Sequence, residues 1–211
     1  MSIQKTLKIY QKQFKLQLKT KTMKILAFSD IHGNKRAVAS IIKSSKTKDP
    51  DILICAGDIS SSSMSTKEVV KELKKTNKPI LMIHGNHETS QEIKSDKQVI
   101  NLHKKIVELK GYNFLGFGGG GFSKRDIEFE KFTKNIKKEN LILITHAPPY
   151  NTSLDILSMG HVGSISIKNF IKNNKPILTI CGHLHENEGK SQKINKTLMI
   201  NPGIKGKIIE I

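Results

Sequence analysis

Five apolar, largely β-branched runs in this chain each end on a short segment that carries an acid, an amide or a histidine. Residues 24–28 lead into Asp30-Ile31-His32, 51–56 into Gly57-Asp58, and 79–84 into Gly85-Asn86-His87-Glu88. Residues 141–145 lead into His146, and 177–181 into Gly182-His183-Leu184-His185. Near-continuous apolar runs of this length suit strands covered on both faces, and the amphipathic stretches between them suit crossover helices. The alternation is that of βαβ units and predicts an α/β fold. In open α/β sheets, ligands bind beyond the carboxyl ends of the strands, where these acids and histidines fall.

Two further apolar runs, 197–200 and 207–211, close the strand set, and helices are predicted over 35–45, 66–76, 124–137 and 164–172. Residues 105–109 and 112–116 flank Lys110-Gly111, a two-residue hairpin turn. The serine-rich stretch 60–65 reads as a loop, and no internal repeat is apparent.

At 211 residues the chain predicts one domain with a proper core. Its net charge of +18 raises nucleic acid, an anionic membrane or a phosphorylated substrate as partners. The excess is almost all lysine spread along the whole chain, which reads more simply as compositional bias. Cys55 and Cys181 lie inside apolar runs and form no disulfide framework, so a cytosolic protein with buried, reduced thiols is expected. No segment approaches the ~18 apolar residues of a membrane span.

Residues 1–22 stand apart, with six lysines and no acid. They lack the apolar core of a signal peptide. Ile3, Leu7, Tyr10, Phe14 and Leu18 fall at helical spacing, as a basic amphipathic helix on an anionic surface would require. Phe14, Leu16 and Leu18 also alternate like a strand, and a short isolated helix is marginal in water. The leader is therefore read first as flexible, or as preceding a true start at Met23.

The residue types suit a two-metal site. Asp30 and His32 would hold one cation, with His185 returning to it. Asn86, His146 and His183 would hold a second, and the two oxygens of Asp58 allow it to bridge. Carboxylate, amide and imidazole without thiolate suit Mn²⁺, Fe, Zn²⁺, Ni²⁺ or Co²⁺ better than Ca²⁺. Any one of these residues alone is more simply a helix cap or a packed histidine; the joint pattern carries the reading.

The pattern D-x-H, G-D, G-N-H-[DE], a lone His and G-H-x-H, complete from Asp30 to His185, resembles that of the calcineurin-like metallophosphoesterase superfamily. The resemblance spans about residues 23–211. Thr145-His146-Ala147-Pro148-Pro149 and the segment around His183 are similar to the small, uncapped prokaryotic and archaeal phosphoesterases. It implies a four-layer α/β/β/α sandwich, and gives Asp30, His32, His185, Asn86, His146, His183 and Asp58 the ligand roles above. His87 then resembles the catalytic histidine that contacts substrate, and Glu88 the acid that orients it. An imidazole near its ordinary pKa suits proton donation at neutral pH.

The expected reaction is hydrolysis of a phosphomonoester or phosphodiester, by in-line attack of a metal-bridging hydroxide, on a small phosphorylated substrate such as a nucleotide. Manganese is the first choice of metal. Arg36, at the start of a predicted helix, is a candidate for binding phosphate or a solvated helix residue; His161 is a candidate for the site rim or a surface histidine. His84 and His103 read as structural. The glycines at 118–121 lack the strand–helix context of a dinucleotide motif. A nuclease is the alternative favoured mildly by charge, and a non-catalytic scaffold of the same fold is the other.

Overall fold

The computed structural model describes residues 22–211, so the expectation for the leader falls, apart from Thr22, outside the described residues. The chain runs β1 (Lys24–Phe28), α1 (Lys35–Lys48), β2 (Ile52–Cys55), α2 (Thr66–Leu73), β3 (Ile80–Met82), β4 (Val99–Asn101), β5 (Lys105–Leu109) and β6 (Tyr112–Phe117). It continues through α3 (Ile127–Thr133), β7 (Leu141–Thr145), β8 (Ile156–Leu157), β9 (Gly160–His161), α4 (Ile165–Asn174), β10 (Leu178–Ile180), β11 (Ser191–Ile194), β12 (Thr197–Ile200) and β13 (Lys207–Glu210).

The strands form two main sheets, of order β13-β1-β2-β3-β4 and β11-β12-β10-β7-β6-β5. β1 to β4 are parallel, as are β12, β10, β7 and β6; β13, β11 and β5 pair antiparallel at the edges. Alternate side chains of each buried strand serve different layers. Ile25, Ile54 and Leu81 of the first sheet meet Phe114, Ile144 and Ile180 of the second. On the outer face, Leu26, Phe28 and Leu53 pack on Val38, Ile41 and Val69 of α1 and α2. Leu115, Leu143 and Met199 likewise pack on Phe129, Ile167 and Phe170 of α3 and α4. The result is the four-layer α/β/β/α sandwich.

Local chemistry starts the helices. Asn34 Oδ1 accepts the Arg36 and Ala37 amides of α1. Ser65 and Glu68 form a capping box on α2, and Ser164 caps Ile167 of α4. α3 is shorter than the predicted 124–137, because the Asp126 side chain caps Phe129 at 2.8 Å and the Lys124 carbonyl is taken by the Ile165 amide at 2.7 Å. Helix α2 ends at Leu73 and passes into a 3₁₀ turn, Lys74–Thr76. Four strands sit beyond the sequence expectation: β4, β11 and the two of the short β8–β9 hairpin. No helix among the described residues is long and apolar enough to cross a membrane.

Candidate metal centre

The five motif segments converge at the carboxyl ends of β1, β2, β3, β7 and β10. The loop after β1 runs alongside the loop after β2: the amides of Asp30, His32 and Gly33 donate to the carbonyls of Gly57, Asp58 and Ile59 at 3.0, 3.0 and 2.8 Å. Asp30, His32 and Asp58 hold left-handed backbone, with φ of 57°, 47° and 52°. Ile31 between them is fully buried, so Asp30 and His32 share the opposite side. Sparsely populated backbone at several non-glycine residues is tolerated where the surroundings over-determine it. Here the loop-to-loop ladder does so.

The segments also lock one another through side chains. The His183 amide donates to both carboxylate oxygens of Asp30 at 3.1 Å, and the His87 amide donates to Asp58 Oδ1 at 2.9 Å. Gly85 is required under Asp58: a Cβ there would stand 1.9 Å from Asp58 Oδ1.

Three groups of donors result, each with its ligand atoms within 4.8 Å of one another: Asp30, His32 and His185; His32, Asp58 and His87; and Asp58, His146 and His183. Nε2 of His32 and Nε2 of His185 are 3.1 Å apart. His146 Nδ1 lies 2.8 Å from the Ala56 carbonyl, which fixes the ring proton there and leaves Nε2 a lone pair. That lone pair faces Asn86 Oδ1 at 3.0 Å and Asp58 Oδ2 at 3.2 Å, and His183 Nδ1 faces the same Asn86 oxygen at 2.9 Å. His183 Nε2 is buried and unpartnered. Facing acceptors of this kind repel unless a proton or a cation lies between them, so the residues fit divalent cations in donor set and arrangement. A cleft of about 250 Å³ opens beside the first group, between Asp30, His32, Asn34, His185 and Glu188.

The electrostatics follow. Burial works against charge on Asp58, but the hydrogen bond and charge of His146 and the His87 amide outweigh it and hold its carboxyl well below the usual carboxylate range. Burial likewise opposes a charge on His146, yet Asp58 lifts its pKa. Burial, reinforced by His146, holds His183 down at about 4, an imidazole kept neutral and able to ligate.

His87 follows Asn86 and projects outward, its side chain 58 % exposed and Nε2 3.9 Å from Asp58 Oδ2. Its ring stands edge-on to His32 at 4.9 Å. Glu88 departs from expectation. It makes no hydrogen bond to His87; its Oε1 accepts the Ile59 amide at 3.0 Å, and its Oε2 is buried without a partner. The left-handed turn at Asp58 points that amide back under the loop, so the carboxyl of Glu88 supports the Asp58–Ile59 backbone from behind. Burial raises its pKa to about 7.

Arg36 is exposed on the first turn of α1, and its guanidinium makes no hydrogen bond or ion pair among the described residues. His161 stands on β9 outside the three donor groups, Nδ1 2.7 Å from Asp155 Oδ1. Asp155 was not visible as a functional candidate. It is fully buried and also accepts the amides of Asn151, Thr152 and Gly163 at 3.1, 2.8 and 2.9 Å. An acid a few residues past a proline-rich loop carries no sequence signal of that kind. His84 and His103 form an edge-on ring pair at 4.5 Å beneath the site. Cys55 and Cys181 are free and buried, and Cys181 Sγ points at the Ile200 carbonyl rather than at the donors.

The chain is 31 % identical over 206 residues to the uncharacterized protein MJ1162 of Methanocaldococcus jannaschii, covering 88 % of this chain and 90 % of that one. In fold it is similar to the protein TT1561 of Thermus thermophilus, with TM-score 0.65, 16 % identity, and 86 % and 89 % of the two chains covered. It is also similar in fold to a structure described as a novel archaeal phosphodiesterase, with TM-score 0.55, 19 % identity, and 90 % and 99 % covered. The profile of the calcineurin-like phosphoesterases matches residues 23–187, and the chain belongs to that family.

Proposed function

We propose that this protein is a dinuclear-metal-dependent hydrolase of small phosphate mono- or diesters, nucleotides among them. Asp30, His32 and His185 would hold the first cation and Asn86, His146 and His183 the second, with Asp58 able to serve both. The position of Asp58 carries the reading: its Oδ2 lies 3.2 Å from His146 Nε2 and 3.9 Å from both His32 Nε2 and His87 Nε2, within reach of both donor sets. Two divalent cations there, Mn²⁺ first and Fe, Zn²⁺, Ni²⁺ or Co²⁺ as alternatives, would supply positive charge and acidify the water nucleophile.

The chain's own residues do the rest. His146 keeps its Nδ1 proton on the Ala56 carbonyl and so presents Nε2 in one orientation. The His183 amide and the Asp30 carboxylate hold the two donor sets in register. His87, at the mouth, holds a proton at Nε2 for the departing alkoxide and offers a positive charge to the phosphate. Glu88 keeps the Asp58 turn in place through the Ile59 amide. The two buried free thiols support a cytoplasmic location.

The test is hydrolysis of an aryl phosphodiester, an aryl phosphomonoester and a nucleotide panel by the Mn²⁺-loaded chain, alongside Asp58→Asn. Metal-dependent turnover lost in Asp58→Asn is the expected result. A chain carrying two metal ions that cleaves none of these substrates would overturn the proposal.

A further inference from the structure

The glycines at 118–121 and the exposed ring that follows them play no part in the centre described so far. Phe122 is 62 % exposed, yet it is not a stray surface phenylalanine. One edge of its ring rests on the ring of His183, with centroids 4.8 Å apart and planes at 60°.

The loop is built to deliver this ring. At its root the Gly118 amide donates to His103 Nδ1 and the Gly119 amide to the His84 carbonyl, both at 3.0 Å. His84 directly precedes Gly85-Asn86-His87, so the root is tied to the segment that carries two site residues. A Cβ on Gly118 would stand 2.2 Å from His84 Nδ1, and Gly120, at φ +93°, passes Ala147 so closely that its own Cβ would lie 3.2 Å from that of Ala147. Only glycine allows the chain to run this near to both the His84 and the His146 segments. Beyond Phe122, the Lys124 carbonyl accepts the Ile165 amide and the Asp126 amide donates to Ser166 Oγ at 2.9 Å. The ring is thus held from both sides, one part on His183 and the rest open to water, beside the Asn86–His146–His183 group.

We propose that Phe122 determines specificity, as a platform on which a planar aromatic ring of the substrate's ester group, a nucleobase or an aryl substituent, stacks. This rests on the phosphoesterase reading above. A phosphate held at the centre projects its ester group past His183 onto the free part of the ring, where stacking excludes water from two apolar surfaces at once.

Calorimetric binding to the Mn²⁺-loaded full chain tests this without turnover, using phenylphosphonate against methylphosphonate and AMP against ribose 5-phosphate. The wild type should prefer the aromatic member of a pair on the order of ten-fold, the range found for single stacked rings. Phe122→Ala should collapse that ratio at unchanged metal content, and Phe122→Tyr should restore it. Loss confined to the phenyl pair assigns a small aryl group; loss in the AMP pair assigns a nucleobase. A ratio unchanged in Phe122→Ala, a wild type without preference, or both members of each pair weakening together overturns the inference, the last because it would make Phe122 a mere support for His183. If the chain takes up no Mn²⁺ or binds neither phosphonate, the phosphoesterase reading fails first and this inference with it. In turnover, the aryl and nucleotide substrates should show the Phe122→Ala effect in KM rather than kcat.

Discussion

The His183 amide donates to both carboxylate oxygens of Asp30, at 3.1 Å each, across 153 residues of sequence. One bond pair therefore ties the two donor sets together: Asp30 belongs to the first and His183 to the second. Each oxygen keeps lone pairs for a cation after accepting the amide. Asp30→Asn replaces one acceptor by a donor and removes the charge. It should weaken binding at both positions, by at least the ~10–100-fold that loss of an outer-shell partner costs. Metal titration of wild type and variant reads this directly, and an unaltered second site would contradict it.

His87 separates binding from turnover. His87→Ala removes a side chain that is 58 % exposed and leaves the His87 amide on Asp58 Oδ1 intact. Both metal ions should remain by elemental analysis, while kcat falls ~10²–10⁴-fold, the usual value of a general acid. Loss of one ion would instead make His87 a ligand, alongside His32 and Asp58.

Gly85→Ala should abolish metal binding without abolishing the fold. The new Cβ would stand 1.9 Å from Asp58 Oδ1 and 2.6 Å from the Asp58 amide, so the Asp58 turn must move. The overpacking should cost about 1–3 kcal/mol. Urea denaturation and metal content, measured together, separate the two effects.

Stability should fall on the acid side through His103. Burial lowers its pKa below the ordinary 6.5; Lys104 and Lys105 push the same way, Glu128 and Asp126 oppose, and the neighbouring His84 ring is itself held at about 4. The folded chain therefore binds fewer protons than the unfolded chain. The stability is present above 6.5 and is lost as pH drops below it, because protonated Nδ1 can no longer accept the Gly118 amide. His103→Gln keeps an acceptor that does not titrate. The difference in urea midpoint above and below pH 6.5 should shrink in the variant, through His103 itself and because its charge no longer helps to lower the His84 pKa.

Asp155→Asn tests the support beneath His161. The carboxylate accepts three amides and the His161 ring with no exposed atom, and an amide group in its place would set a donor against donors. A loss of about 1–3 kcal/mol in thermal or urea unfolding is expected, the cost of leaving buried donors unsatisfied.

The donor-bearing segments were legible because each one is local. A β-branched run sets a strand, the strand sets an end, and Asp30, Asp58, Asn86, His146 and His183 stand at those ends. β1, β7 and β12 match the predicted runs residue for residue for the same reason. β4 carries only Val99-Ile100-Asn101, and its pairing with β3 is decided by the sheet it joins. β11, Ser191–Ile194, is polar except for Ile194 and becomes a strand by lying antiparallel on β12. Runs of three or four mixed residues hold too little pattern to declare themselves.

The sequence by itself determined the longer apolar strands and the inventory of donors, since hydrophobic period and side-chain chemistry act over a few residues. Tertiary structure decided the rest: the division into two sheets, the 3.2 Å approach of His146 to Asp58, the turn of Glu88 toward Ile59 and away from His87, and the seating of Phe122 on His183. Each of these joins residues far apart in the chain. Their distances follow from how layers pack, which no local pattern encodes.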